Sequence, residues 1–157
     1  RHQGVELFTE FDLIGFTDNV SGSKNAEKIG NLGIFYSAMF LDAEFTGGPN
    51  TDKIPQYAPD FIQKGGMEYR LDERAKIRFA GTFADDHFAD DNNTTQRIVP
   101  SYKVWDLTAE FKVHKDLVTI FGGINNLFDE QYFARVRSDG IDPADERNYY
   151  GGVKFAW

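Results

Sequence analysis

The chain contains no cysteine, and none of its apolar runs is long. Without cysteine, neither a disulfide framework nor a thiolate metal site can form. The longest nearly apolar run extends from Gly33 to Leu41, whereas a membrane-spanning helix needs about 20 such residues. A helical membrane protein is therefore excluded.

Positive charge is also scarce. The 157 residues include 17 lysines and arginines against 25 aspartates and glutamates, which gives a net charge of −8. Because nucleic-acid binding requires a basic face, we expect no nucleic-acid partner. The chain begins at Arg1, with neither an initiator methionine nor a signal peptide, and we expect the gene product to start upstream of this residue.

Aromatic residues, in contrast, are abundant: 15 Phe, 7 Tyr and 2 Trp make up 15% of the chain. The mean hydropathy is nevertheless −0.48, and 27% of the residues are charged. Transmembrane β-barrels combine these properties, because their strands are apolar on one face only and their loops are polar.

The C-terminal stretch from Arg147 to Trp157 has the clearest pattern. Every second residue from Tyr149 onward is apolar or glycine, whereas the alternate positions are mixed and include Lys154. This period of two predicts a strand with one apolar face. The closing strand of an outer-membrane barrel ends on an aromatic ring at the membrane interface, as Trp157 would. Taken alone, the stretch equally fits a docked strand of a soluble sandwich.

Seven segments alternate in this way, and the second of them is apolar on both faces, so its register stays open. The predicted strands are 1–16, 31–45, 60–70, 75–83, 101–113, 117–126 and 147–157. The alternation predicts that one face meets lipid and the other the lumen of a barrel. The residues expected to face lipid are Val5, Phe79, Trp105, Phe111, Ile120 and Phe155. Those expected to face the lumen are Arg78, Asp106, Glu110 and Lys154.

Short and long connections alternate along the chain. Residues 71–74 and 114–116 form short turns, whereas 46–59, 85–100 and 128–146 form long loops. Outer-membrane barrels have short periplasmic turns and long extracellular loops. The connection from Thr17 to Gly30 does not fit, because a turn is expected there and the segment is long. Since an open seven-stranded sheet would leave two bare edges in lipid, we predict an arc of a larger barrel.

Four motifs, in order along the chain, resemble those of TonB-dependent outer-membrane receptors. They are Arg1-His-Gln-Gly-Val-Glu6, Ile54-Pro-Gln-Tyr-Ala-Pro59, Pro100-Ser-Tyr-Lys-Val-Trp-Asp-Leu107 and Gly123-Ile-Asn-Asn-Leu-Phe-Asp-Glu-Gln-Tyr132. The loop 140–150 resembles that of the ferric-dicitrate and related siderophore branch. The resemblance implies an all-β, antiparallel fold in which residues 1–157 are the C-terminal part of a barrel of roughly 22 strands. It also implies an N-terminal plug domain that this chain does not contain.

The resemblance further implies a function. Such receptors import an iron chelate (a siderophore or ferric citrate) or a similar nutrient, with energy from the inner-membrane TonB complex delivered through the missing N-terminal region. The implied surroundings are lipid and lipopolysaccharide in the outer membrane of a Gram-negative bacterium, and no cofactor is implied. A passive structural or adhesive outer-membrane barrel, without energised transport, is the alternative.

Arginines in the last two long loops are candidate ligand-binding residues. The four are Arg97, Arg135, Arg137 and Arg147. Guanidinium groups are planar, always charged and fork-shaped, so they suit an anionic iron chelate. Alternatively, they pair with acidic residues of their own loop or meet lipopolysaccharide phosphates. The neighbouring acidic residues are Asp139, Asp142, Asp145 and Glu146.

The segment 85–93 concentrates carboxylates. Oxygen-rich clusters can bind Ca²⁺, which makes four aspartates weak metal candidates: Asp85, Asp86, Asp90 and Asp91. The fixed spacing of a calcium loop is absent, so we expect a solvated acidic loop and no metal. Outer-membrane proteases use Asp and His at a barrel rim, but no nucleophile accompanies the three histidines, and we expect no enzymatic activity. The histidines are His2, His87 and His114.

Overall fold

The computed structural model describes residues 1–114 and 117–156, and it consists mainly of β-strands with two short helices. In chain order the elements are β1 His2–Asp12, α1 Leu13–Ser21, α2 Asn25–Ile29, β2 Asn31–Ala43, β3 Phe61–Leu71, β4 Ala75–Ala84, β5 His87–Phe88, β6 Ile98–Val99, β7 Tyr102–His114, β8 Val118–Asn125, β9 Phe133–Val136, β10 Ile141–Pro143 and β11 Asn148–Phe155.

The seven long strands form one antiparallel sheet. Its order is β1-β2-β3-β4-β7-β8-β11, so each long strand pairs with the next long strand along the chain. Each of the seven predicted strands is present, although the first is shorter than predicted. Within the described residues the sheet does not close on itself, and β1 and β11 are its two edges. The fold is an arc of a barrel rather than a complete one.

The register divides the sheet into an apolar and a polar face. Directly opposed residues lie on the same face of an antiparallel pair. Opposed pairs such as Met67 with Phe79 and Phe111 with Ile120 therefore continue one apolar face across the sheet. All six residues predicted to face lipid lie on this apolar face, and all four predicted to face the lumen lie on the opposite one.

Ion pairs join strands on the polar face. The side chain of Glu68 on β3 is only 9% exposed, and it is paired with three cations. These are Arg70, Lys76 and Arg78. Lys154 on β11 reaches Glu110 on β7 with 2.9 Å between Nζ and Oε2. Charged side chains are thus held next to one another across this face.

Strand pairing decides the register of β2, which its sequence leaves open. Leu32, Ile34 and Tyr36 belong to the apolar face, because they oppose Tyr69, Met67 and Gly65 of β3. Phe35 therefore lies on the polar face, where the guanidinium carbon of Arg78 is 4.1 Å from the centre of its ring. This cation–π contact accounts for an aromatic ring among charged neighbours.

The first predicted strand is too long: β1 ends at Asp12, not at Phe16. The Asp12 side chain accepts the N–H of Gly15 at 3.0 Å and caps α1, which stabilises a helix at this point. Gly22 ends α1 in the left-handed region at φ 70°. The long connection after Thr17 therefore contains the rest of α1 and all of α2. Neither helix has the length and apolarity to span a bilayer, and no other helix of the described residues does.

The paired glycines of the last two strands make room for aromatic rings. Gly123 opposes Tyr150, and Gly152 opposes Phe121. A Cβ atom on Gly123 would lie 2.5 Å from the Tyr150 side chain, and one on Gly152 would lie 2.6 Å from the ring of Phe121. Both rings thus cover the space above a glycine. Trp157 lies outside the described residues, as do residues 115 and 116 of the predicted turn, so the interfacial position of Trp157 stays a prediction.

Candidate functional site

The three long loops meet at one end of the sheet. We call residues 44–60, 85–101 and 126–147 the loop cap. It contains two small hairpins, β5 with β6 and β9 with β10, that the sequence did not predict. Strands of two to four residues are too short for an alternating pattern to be recognised.

A small apolar cluster joins the two hairpins of the loop cap. It consists of Ala89, Val99 and Val136, all buried, with Phe133 packed against them. Val99 is 1% exposed, the most enclosed large side chain among the described residues. The first loop joins the same layer, because the Tyr57 hydroxyl donates to the carbonyl of Val136 at 3.3 Å. The three loops therefore pack as one layer.

Polar contacts connect the first two loops of the cap. The side-chain amide of Asn93 donates to the carbonyl of Ile54 at 2.7 Å and accepts the N–H of Ile54 at 2.8 Å. Asp91 accepts the N–H of Gln56 at 2.9 Å. The proline-containing motif 54–59 is thus held by the acidic segment that follows β5, and Asn93 is a residue that sequence reasoning missed.

Two aspartates of the acidic segment, Asp85 and Asp90, bind groups of their own loop. Asp90 Oδ1 accepts the N–H groups of Asn92 and Thr94 at 3.0 and 3.1 Å, and Oδ2 lies 3.4 Å from the Arg97 guanidinium. These contacts, the Thr94 N–H first among them, hold the pKa of Asp90 below its usual range. Asp85 likewise accepts the N–H of Asp86. Among residues 1–114 and 117–156, no three acidic or histidine side chains are grouped to hold a metal ion.

The candidate arginines have different surroundings. Arg137 is paired with Asp142 at 2.7 Å across the β9–β10 hairpin, and Arg97 is paired with Asp90. Arg147 donates to the carbonyl of Leu127 at 3.4 Å. Arg135, two residues from Arg137 on the same strand, is exposed and has no ion-pair partner in the described part of the chain.

Two of the motifs that resemble those of TonB-dependent receptors, 100–107 and 123–132, are in contact at the base of the loop cap. Asn126 is 3% exposed, and its N–H donates to Asp106 at 2.9 Å. Its side chain accepts the N–H of Glu130 and donates to the carbonyls of Glu130 and Asp145. The carboxylate of Asp129 accepts the N–H of Arg147 at 2.9 Å and so ties the last motif to the end of the last loop. These contacts give the motif residues a structural role.

An aromatic stack completes this junction. The rings of Tyr102 and Tyr132 lie 4.5 Å apart and nearly parallel, at 25°. Burial, together with the neighbouring Tyr102, raises the pKa of the Tyr132 hydroxyl. Both tyrosines belong to the motifs 100–107 and 123–132, but the sequence alone did not predict that they stack.

Solved structures with the same arrangement are outer-membrane receptors. The unliganded ferric citrate transporter FecA matches 97% of this chain at 22% identity and a TM-score of 0.78, and the match covers 24% of that protein. The ferric yersiniabactin uptake receptor FyuA from Yersinia pestis matches 97% at 17% identity and a TM-score of 0.68, over 22% of its length. The siderophore receptor PiuA from Acinetobacter baumannii matches 79% at 22% identity and a TM-score of 0.66, over 19% of its length.

These similarities show the fold, and the chain spans about a quarter or less of the length of each receptor. The sequence itself matches the family model described as TonB dependent receptor-like, beta-barrel, over residues 1–127. That match covers well over half of the chain and includes six of the seven long strands. The chain therefore belongs to the TonB-dependent receptor family, in whose β-barrel it forms an arc.

Proposed function

We propose that the protein to which this chain belongs imports an iron chelate across the outer membrane by TonB-dependent transport. Membership of the family, shown by the match over residues 1–127, is the observation that carries the proposal. A ferric citrate transporter and siderophore receptors are among the structures that share the fold, and they support the choice of an iron chelate. The N-terminal plug domain and the region that contacts TonB would lie upstream of Arg1.

The location of the chain in a membrane barrel determines what each face of the sheet contacts. As part of a TonB-dependent receptor barrel, the chain lies in the outer membrane of a Gram-negative bacterium. The apolar face therefore meets lipid, and the polar face lines the interior. Because long loops are extracellular and short turns periplasmic in such barrels, the loop cap lies on the outer side.

The loop cap is the part of this chain that an incoming chelate would meet first. Within the loop cap, Arg135 is the candidate cation for chelate binding, because it has no acidic partner among the described residues. Arg137 and Arg147 lie in the same loop. Arg137 already shares its charge with Asp142, and Arg97 with Asp90. We therefore expect Arg135 to contribute more to the attraction of an anionic chelate than Arg137 or Arg97.

Growth under iron limitation tests the proposed transport. A strain that lacks the full-length receptor should lose growth on one ferric chelate and regain it from a plasmid-borne copy. The same rescue should fail in a strain without TonB, because energised import requires the inner-membrane complex. Rescue that is independent of TonB would favour the alternative, a passive outer-membrane barrel.

Charge neutralisation tests the part assigned to the arginines. Replacing Arg135, Arg137 and Arg147 with Gln in the full-length receptor should weaken chelate binding, most strongly at low ionic strength, where charges are least screened. The matched control removes three cations at the opposite end of the sheet: Lys24, Lys28 and Arg74. Unchanged affinity at low salt would mean that the loop arginines serve only their own loop.

A further inference from the structure

A groove runs along the lipid-facing side of the sheet, between β2 and β7. Its floor is formed by Gly65 and Gly81, which oppose each other on neighbouring strands. Without side chains, they leave a depression of about 380 Å³ between the larger residues that surround them, among them Tyr36, Phe83 and Trp105. The groove lies in the interior of the sheet, so the two open edges do not create it.

Two aromatic rings form the walls of this groove and are held in place. Tyr36 leans over Gly65, and its hydroxyl donates to the side chain of Gln63 at 2.8 Å. Trp105 leans over Gly81 and stacks on Phe79, with ring centres 4.8 Å apart at 12°. Because both rings have a fixed partner, the groove is preformed.

Lys103 lies at the outer end of the groove. It is one residue inside the start of β7, directly opposite Phe83. The rings of Phe40, Phe61 and Phe83 form a row at the same end of the apolar face, as in the aromatic girdle at a membrane interface. The lysine ammonium is thus at the height of the lipid headgroups.

The charge of Lys103 is not neutralised by the described residues. Lys103 is exposed and forms no ion pair with any described residue. Among the described residues of the seven-stranded sheet, it is the only lysine or arginine on the apolar face. Asp42, an acidic residue on that face, is paired with Arg1 at 3.3 Å. Lys103 is therefore available to an anionic group of the membrane.

We propose that this groove is a binding site for lipopolysaccharide of the outer leaflet. One acyl chain lies over Gly65 and Gly81 between the two rings, and a phosphate of the same molecule pairs with Lys103. The apolar floor favours an acyl chain, and the lysine favours an anionic headgroup. Because the groove lies at the loop end of the sheet, the lipid belongs to the outer leaflet. This site is independent of the chelate pathway, since it lies on the opposite face of the sheet.

The headgroup contact can be tested on the full-length receptor in detergent by native mass spectrometry. Diphosphoryl lipid A is the probe, and dephosphorylated lipid A and phosphatidylethanolamine are the comparison lipids. Lys103→Gln should reduce lipid A retention about fivefold, as expected for the loss of one lysine near an anionic surface. Lys64→Gln is the matched control, because Lys64 is exposed at the same height on the opposite face.

The acyl contact needs a second variant. Gly65→Leu fills the floor of the groove while Lys103 is kept, and it should lower the retention of both forms of lipid A. Gly151→Leu, on the same face but away from the groove, should leave retention unchanged. Equal retention by Lys103→Gln and the unmodified receptor, an equal loss with Lys64→Gln, or phosphatidylethanolamine retained as well as lipid A would each overturn the proposal.

Discussion

Asn93 and Ile54, 39 residues apart in the sequence, are joined by a pair of hydrogen bonds that uses both ends of the Asn93 side-chain amide. The same arrangement of donor and acceptor occurs between paired strands. Here a single side chain takes the place of a neighbouring strand. Asn93 has a positive φ of 55°, a conformation that asparagine tolerates better than most residues. This pair is one of several links between the first two loops of the cap.

Replacing Asn93 with Gly should loosen the attachment of the first loop to the second at Ile54. Glycine keeps the positive φ, so the change removes the amide contacts without straining the backbone. The N–H of Ile54 should then lose protection from hydrogen exchange, by an amount equivalent to about 1–3 kcal/mol. Asn92→Ala is the control, since among the described residues the Asn92 side chain makes only a 3.4 Å contact with Lys53. Unchanged exchange at Ile54 would show that the remaining contacts between the loops, such as the hydrogen bond from Gln56 to Asp91, protect it.

Arginine substitutions should distinguish the two faces of the sheet. Phe79→Arg or Leu107→Arg, a directly opposed pair in the middle of β4 and β7 on the apolar face, places a charge in lipid and should cost about 2–4 kcal/mol near the bilayer midplane. Ala80→Arg makes the same kind of change at the same depth on the interior face, directly opposite Asp106, and should cost far less. The measurement is the equilibrium folding of the full-length receptor into lipid vesicles. Equal costs on both faces would contradict the orientation of the sheet.

The connection between α1 and α2 should depend on pH through Asp18. Its carboxylate accepts the N–H of Ala26 and the hydroxyl of Ser23, both at 2.7 Å, and these bonds, the Ala26 N–H first, lower its pKa from 3.8. A carboxylate with a lowered pKa stabilises the folded state above its unfolded pKa, and that stabilisation is lost as the pH falls through the folded value. Protection of this segment from hydrogen exchange should therefore decrease below pH 3.8.

Asp18→Asn imitates the protonated side chain and supplies the comparison. At neutral pH the variant should exchange faster than the unmodified receptor over residues 22–30, and the two should converge in acid. Glu27→Gln is the control, because Glu27 is exposed and contacts only Lys24 among the described residues. A difference that persists at the lowest pH would assign the effect to the amide group itself rather than to the lost charge.

Asn126→Asp should destabilise the junction of the last two motifs. The side-chain nitrogen of Asn126 donates to two carbonyls, at 2.9 and 3.2 Å. A carboxylate in that place would face both of them without a proton to donate, at a cost of about 1–3 kcal/mol. The loss of stability is measured as a shift in the urea midpoint for unfolding of the full-length receptor in lipid. Asn125→Asp should cost less, because among the described residues Asn125 donates only one such bond, to the side-chain oxygen of Asn148. The Asn148 amide can rotate and donate its own N–H to the new carboxylate. Equal midpoints would refute a role for the buried amide.

The sequence by itself determined the seven strands, the division of their faces and the alternation of short and long connections. A period of two is a local property, and a half-buried strand displays it without reference to its neighbours. This is why Phe111 and Glu110 could be assigned to opposite faces before any pairing was known. The motif from Gly123 to Tyr132 likewise marked the place where β8 ends and the last loop begins.

Only the tertiary structure decided the register of β2, the helices that follow Asp12 and the packing of the loop cap. Both faces of β2 are apolar, so its alternation is ambiguous until β3 pairs with it. The cap depends on contacts such as Asn93 with Ile54 and Tyr57 with Val136, across 39 and 79 residues. A single sequence does not show such partners, because each is selected by the three-dimensional arrangement of the strands that carry the loops.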